Sequence, residues 1–327
     1  MTTSGTYGFS VSRDDIIRTA MMNIVQLGEG EDPTAQEIQD CARFLNLMVK
    51  QWMSTTDFAP GLKVWTRRHA DLLLTSTQGA YNLGPSGDNW TTNLVQTTTG
   101  NFTIVGGNVV VLVGTSLLSN YPAGATIAVQ TSQADLWITT VVSATPIFGG
   151  AFISVVVTGT APVQVSVGNF VYSYTTKAQR PEKIETLYLR DSLWNDTPMR
   201  IITSEEYDFL PNKQQPGYVG DPMYGYYENQ LINGVLYLDV AGAADTTKRV
   251  RSTFLEPVQD FNNPLDTPEY PAPYYLALVW GLTKQIAPMF EEPFTKDMQD
   301  NFDSALAMAR EGDPTNVTAL YFLPGNE

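Results

Sequence analysis

The sequence predicts an α+β protein: a helical bundle built from N- and C-terminal helices with a small β-meander, and an inserted all-β sandwich or barrel. Three observations carry this reading. There is no Lys or Arg between Arg68 and Lys177, and Asp135 is the only charged residue from Asn93 to Thr176. That neutral stretch is patterned as short strands with turn residues at roughly ten-residue spacing. Amphipathic helical periodicity is confined to the two flanks.

The elements follow in order. Ser12-Arg-Asp-Asp15 reads as a capping box, and Ile16, Ile17, Ala20, Met21 and Ile24 follow at helical spacing, with Gly28 as the stop. Thr34-Ala-Gln-Glu37 is a second capping box. Ile38, Cys41, Leu45, Met48 and Trp52 place one apolar stripe on a helix running to Met53. Short strands are predicted at 63–66, 70–75 and 80–83. In the neutral stretch, strands are predicted at 109–113, 126–129, 136–142 and 152–157. Val163, Val165 and Val167, and then Phe170, Tyr172 and Tyr174, alternate strictly, so each set lies on one sheet face. Beyond it come a strand at 184–189, a short helix with Ser204 as its N-cap, and a meander from 223–228, 234–239 and 248–255. A helix from Pro268 to Ala287 is ended by Pro288, and a last helix spans 295–310 with Met298, Phe302, Ala305, Leu306 and Ala309 inward. The expected organisation is 1–92 with 177–311 as the host, 93–176 as the insertion and 312–327 as an extended tail.

Composition limits the chemistry. With 19 Lys and Arg against 34 Asp and Glu, the net charge is −15, the wrong balance for clamping phosphates. One cysteine, Cys41, and one histidine, His69, exclude disulfide scaffolds and intrachain zinc or iron–sulfur sites. No metal or cofactor is expected. The N-terminus lacks the basic and apolar regions of a signal peptide. The longest apolar helical run, Tyr274 to Leu282, is about half of the ~20 residues a bilayer needs, so no membrane association is expected.

Catalytic constellations are sparse. Gly28-Glu-Gly30 lacks a third glycine and follows a helix, so it reads as a turn. The acid pairs Asp14-Asp15, Glu205-Glu206 and Glu291-Glu292 fall at predicted helix starts or loops, where acids are favoured electrostatically. The tyrosines of Pro222-Met-Tyr-Gly-Tyr-Tyr227 read as strand packing, and Lys248, Arg249 and Arg251 as a solvated strand edge. No residue is assigned a catalytic role. The alternative reading is a virion-associated peptidoglycan hydrolase using a carboxylate pair. A carbohydrate-binding β module on a helical base is a third.

Four stretches carry a family resemblance. They are Asp15-Ile-Ile-Arg18 with the hairpin through Glu37, Leu45, Leu47 and Trp52; Leu74-Thr75, Gln78-Gly79, Tyr81, Leu83-Gly84-Pro85 and Gly87-Asp88; Arg180-Pro181, Ile184 and Tyr188-Leu189-Arg190-Asp191; and Ser204, Glu206-Tyr207, Gly217, Pro222, Tyr226-Tyr227, Gly234, Leu236-Tyr237 and Leu282. In this order they resemble the head-to-tail adaptors, or tail accessory factors, of short-tailed bacteriophages. In that family a Gly-Asp…Thr step leads within a few residues to Arg-Pro; here residues 93–179 separate Thr92 from Arg180.

The resemblance implies a structural virion protein of the neck or tail, assembled in the host cytoplasm. Its partners would be the portal protein, other copies in a ring of about twelve, and downstream tail, nozzle or fibre proteins. DNA would pass through the lumen without specific binding. The resemblance also implies that the tail packs on the portal or a neighbouring subunit. Val317, Leu320, Tyr321, Phe322 and Leu323 are the candidate contacts, apolar residues in a segment without periodicity. The insertion is expected on the outside of such a ring, where it leaves the bore open.

Overall fold

The structure, a computed structural model, describes residues 8–24, 31–53, 67–91, 94–97, 103–105, 108–113, 118–132, 135–147, 151–159, 169–174, 176–191, 193–213 and 215–311. The chain divides into two compact units, Met1–Thr66 with Val258–Glu327, and Arg67–Pro257. The helices are α1 (Arg13–Asn23), α2 (Ala35–Met53), α3 (Ser204–Asp208), α4 (Tyr274–Ile286) and α5 (Lys296–Glu311).

The first unit joins the two chain ends. Both predicted capping boxes form: Ser12 and Asp15 exchange bonds at the start of α1, and Thr34 and Glu37 do so ahead of α2. Helix α4 packs against α1, α2 and α5. Ile16, Ile17, Met21, Leu45, Met48, Tyr274, Leu278 and Leu282 share one buried core, with Trp52 against it. Helix α4 starts six residues later than the sequence predicts, because Pro271 and Pro273 hold the preceding backbone out of the helix. Gly281 lets α2 approach: a Cβ there would lie 2.7 Å from Met48 Sδ and 2.7 Å from Trp52 Cζ2. The segment entering α4 is pinned by its backbone. Asn46 donates to and accepts from Phe261, Lys50 donates to the Val258 carbonyl at 2.6 Å, and Arg13 donates to the Asn262 carbonyl at 3.1 Å.

The second unit corrects the expected fold class. The protein is mostly β, not a helical bundle carrying a small meander. Its strands are β1 (Arg67–Leu73), β2 (Ala80–Leu83), β3 (Asn89–Trp90), β4 (Leu94–Thr97), β5 (Thr103–Val105), β6 (Asn108–Val113), β7 (Thr126–Ser132), β8 (Asp135–Ile147), β9 (Phe152–Val157), β10 (Phe170–Tyr174), β11 (Lys183–Arg190), β12 (Asp196–Ile201), β13 (Val219–Gly220), β14 (Tyr224–Glu228), β15 (Gly234–Leu238), β16 (Gly242–Ala243) and β17 (Arg249–Leu255). Eight of them form one sheet in the order β2-β15-β14-β12-β11-β17-β1-β3. The meander fails because β17 leaves β15 and inserts between β11 and β1, antiparallel to both.

The ends of this sheet, β2 and β3, are consecutive in the chain. Laid flat, eight strands would hold them about 34 Å apart, whereas residues 84–88 reach at most about 21 Å. The sheet therefore curls into a nearly closed barrel. The Asp88 amide donates to the Asn82 carbonyl at 2.6 Å, and the Gly84 amide to Asn89 Oδ1 at 2.8 Å, across the seam. Ala70, Leu72, Leu187, Leu189, Leu236 and Phe254 fill the interior.

The neutral stretch forms a separate seven-stranded sheet, ordered β4-β10-β7-β8-β9-β6-β5. Strands β4 and β5 are again end strands joined by a short link, so this sheet also curls, as a half-barrel. Strand β8 serves both halves: residues up to Thr140 pair with β7, and those from Val141 pair with β9. Val111, Val113, Ile127, Val129, Val155, Val157 and Val171 make its core. The predicted strand at 163–167 and the predicted strand at 63–66 lie outside the described residues.

Candidate functional site

The two sheets meet over one face of β1, and this junction is the most unusual chemistry in the chain. Tyr172 and Tyr174 project from β10 onto Leu73, with Ala128, Trp90 and Phe170 around them. The Tyr172 hydroxyl donates to the Thr247 carbonyl at 2.8 Å. The alternation read from the sequence thus places these tyrosines on one face, and that face is buried. Beneath them lie Asp71 and Arg249, each only 1% exposed, with Arg249 Nε 3.3 Å from Asp71 Oδ2 and Arg251 Nη1 3.6 Å from Oδ1. Arg249 is therefore not on a solvated edge, a correction that follows from the central place of β17. Burial pushes the Asp71 carboxyl above its ordinary value, against the pull of Arg249, Arg251 and Arg190. Trp194, at φ 68°, lies over the Arg190 and Arg249 guanidinium groups at 5.1 and 4.9 Å. Arg190 grips Asp196 with two bonds of 2.6 and 2.7 Å, which hold the Asp196 carboxyl below its ordinary value.

The chain enters and leaves the neutral sheet at one place. Trp90 and Lys177 pair as an isolated antiparallel bridge. The Thr91 amide donates to the Thr176 carbonyl at 3.0 Å, and the Ala178 amide to the Asn89 carbonyl at 3.1 Å.

The other residues singled out by the sequence occupy ordinary structural positions. His69 Nδ1 lies 3.1 Å from Thr253 Oγ1 across the strands, its pKa lowered by burial and by Arg251 and Arg67. Cys41 is buried, and desolvation pushes its thiol up to about 11. Asp15 and Glu206 are committed to helix caps, and Asp14 pairs with Arg13. The cap of α3 is Thr203, one residue before the predicted Ser204, with its amide donating to Glu206 Oε2 at 2.9 Å. Among the described residues no group of three or more His, Cys, Asp or Glu is arranged to hold a metal ion. Val317, Leu320, Tyr321, Phe322 and Leu323 lie outside the described residues, as does Gly28-Glu-Gly30.

Comparison of the chain with protein-family models and with curated proteins finds no match. Among the described residues no helix is long and apolar enough to cross a membrane.

Charge divides as the structure does. The helical unit holds 8 Lys and Arg against 19 Asp and Glu, a net −11, and the β unit holds 11 against 15, a net −4. Asp297, Asp300 and Asp303 stand exposed along α5, opposite the buried Phe302, Ala305 and Ala309. No sequence signal marked the Asp71–Arg249 pair, since an acid on an apolar strand declares itself only when its cross-strand partner is known.

Proposed function

We propose that this chain is the subunit of a head-to-tail adaptor ring that binds beneath a portal and continues the DNA conduit into the tail. The observation that carries the reading is the junction at Trp90 and Lys177. The adaptor pattern wants Gly-Asp…Thr to run on into Arg-Pro, and residues 93–179 interrupt it. The bridge brings residues 89–91 alongside 176–178, so the two halves of the pattern become neighbours in space. That is the geometry of a module added to a pre-existing host strand pair. The acidic helical unit suits a conduit wall that repels phosphate rather than holding it. The role is structural and no residue acts as a catalyst. Val317, Leu320, Tyr321, Phe322 and Leu323 are the segment offered to the portal or to the next subunit, and the protein, assembled in the host cytoplasm, takes its place in the virion neck or tail.

The test is mass measurement of the purified chain alone, of its cognate portal alone and of the two mixed. A complex with one adaptor per portal subunit, about twelve, is expected. A chain that stays monomeric and unbound beside an intact portal ring overturns the reading. Removal of residues 312–327 is expected to abolish the complex while leaving the thermal melt of the free chain unchanged.

A further inference from the structure

The tyrosines of β14 and β15 build more than strand packing. Tyr226 and Tyr237 are cross-strand partners with ring centroids 5.8 Å apart and planes 14° from parallel. Tyr207 of α3 leans on both, at 5.6 and 5.7 Å, and donates its hydroxyl to the Leu238 carbonyl at 3.3 Å. Tyr207 is buried and so held fixed, while Tyr226 and Tyr237 are half-buried.

Tyr207 and Tyr237 line a cleft of about 490 Å³, together with Ser76 and Thr77 from the β1–β2 turn and Lys213 and Pro216 from the loop after α3. Lys213 Nζ sits 4.7 Å from the Tyr207 ring centroid and donates to the Tyr207 carbonyl. Lys213 also pairs with Asp208 at 3.9 Å; the Lys213 side chain is 17% exposed and that of Asp208 81%. Among the described residues no carboxylate lines the cleft, although the chain carries −15.

We propose that this cleft binds an acidic saccharide. The half-buried Tyr237 ring suits the C–H face of a pyranose ring, the hydroxyls of Ser76 and Thr77 suit sugar hydroxyls, and the Lys213 ammonium takes the sugar's carboxylate. Lys213 is the one charged residue among the described lining residues, and its Asp208 partner is 81% exposed and free to be displaced by a ligand carboxylate. The proposal does not depend on the adaptor reading and holds whether or not the chain binds a portal.

Calorimetric titration of the full chain tests it, using hyaluronan tetrasaccharide, an alginate tetrasaccharide and sialyllactose as acidic probes and chitotetraose as the neutral one. At least one acidic probe is expected to bind saturably. Lys213→Gln is expected to weaken it about tenfold or more, because the Lys213 side chain is only 17% exposed and loses its charge in a largely desolvated place. Tyr237→Phe keeps the ring and the binding, whereas Tyr237→Ala weakens it about tenfold or more. Thermal melts show which variants are folded; should Tyr237→Ala unfold, Lys213→Gln and Tyr237→Phe carry the decision. Saturable heat from none of the acidic probes overturns the proposal. So does acidic binding that Lys213→Gln leaves unchanged.

Discussion

Lys177 Nζ lies 3.6 Å from the centre of the Trp90 ring, and the same two residues pair through their backbones. Lys177 also donates to the Gly87 carbonyl, so the ammonium fastens the exit strand to the turn that closes the barrel seam. Burial lowers its pKa.

Antiparallel partners stand about 5 Å apart, so the neutral sheet can be cut out cleanly. Replacing residues 93–175 by two glycines is expected to leave a chain that folds, with the helical core and the eight-stranded sheet retained. It will be less stable, since Leu73 and the Asp71–Arg249 pair lose their cover; exposing Leu73 alone costs about 2 kcal/mol. Circular dichroism and urea unfolding read this. Loss of all cooperative unfolding would show that the sheet is part of the host's core.

Asp71 and Asp196 sit in one arginine network and are predicted to respond oppositely to acid. The Asp71 carboxyl is raised, so its contribution to stability is greatest below the ordinary carboxylate range and is lost as pH rises through its raised value. The Asp196 carboxyl is lowered, so its contribution is present above that range and is lost as pH falls through its lowered value. Urea midpoints between about pH 3 and pH 6 should flatten at the acid end in Asp196→Asn, and lose their decline with rising pH in Asp71→Asn. Arg249→Met leaves Asp71, 1% exposed, with Arg251 alone in ion-pair range at 3.6 Å, and is expected to cost up to about 3–5 kcal/mol at neutral pH, less in acid. Adding Asp71→Asn to it should restore most of the loss.

Gly281→Ala sets two magnitudes against each other. Alanine gains up to about 1 kcal/mol in a helix interior, whereas forcing a methyl against Met48 and the rigid Trp52 costs about 1–3 kcal/mol. Net destabilisation is expected, read as a lower urea midpoint at unchanged slope. A higher midpoint would mean that α2 and α4 separate without penalty.

Asp297, Asp300 and Asp303 test the conduit reading. Changing all three to Asn is expected to increase DNA retained by the assembled portal complex at low salt, with the difference disappearing by about 0.3 M salt as screening shortens. Identical retention at every salt concentration would remove α5 from the conduit wall.

Much of the helical unit was legible. Capping boxes and apolar stripes are local signals, and α2 and α5 stand within one residue of their predicted spans. The barrel was not legible, because its decisive pairing joins Arg67 to Leu255 across the whole neutral stretch. No local pattern records which strand will sit beside which. The same blindness hid Arg249: a basic residue on a strand reads as solvated until the tyrosines that roof it are known. Thr203 and Ser204 are both good N-caps, and Glu206 decides between them only by completing a box three residues from Thr203.

The place of β1 has a consequence for synthesis on the ribosome. Its residues emerge early, yet their main partner, β17, follows nearly the whole unit later. At about 5–20 residues per second, β1 waits some ten to forty seconds with one flank unpaired. The neutral sheet takes all its partners from residues 94–174 and is complete well before then. The last-made strand of the unit, β17, therefore slots between two older ones, β1 and β11, and any nascent chain stalled before Leu255 carries a finished half-barrel on an unclosed host.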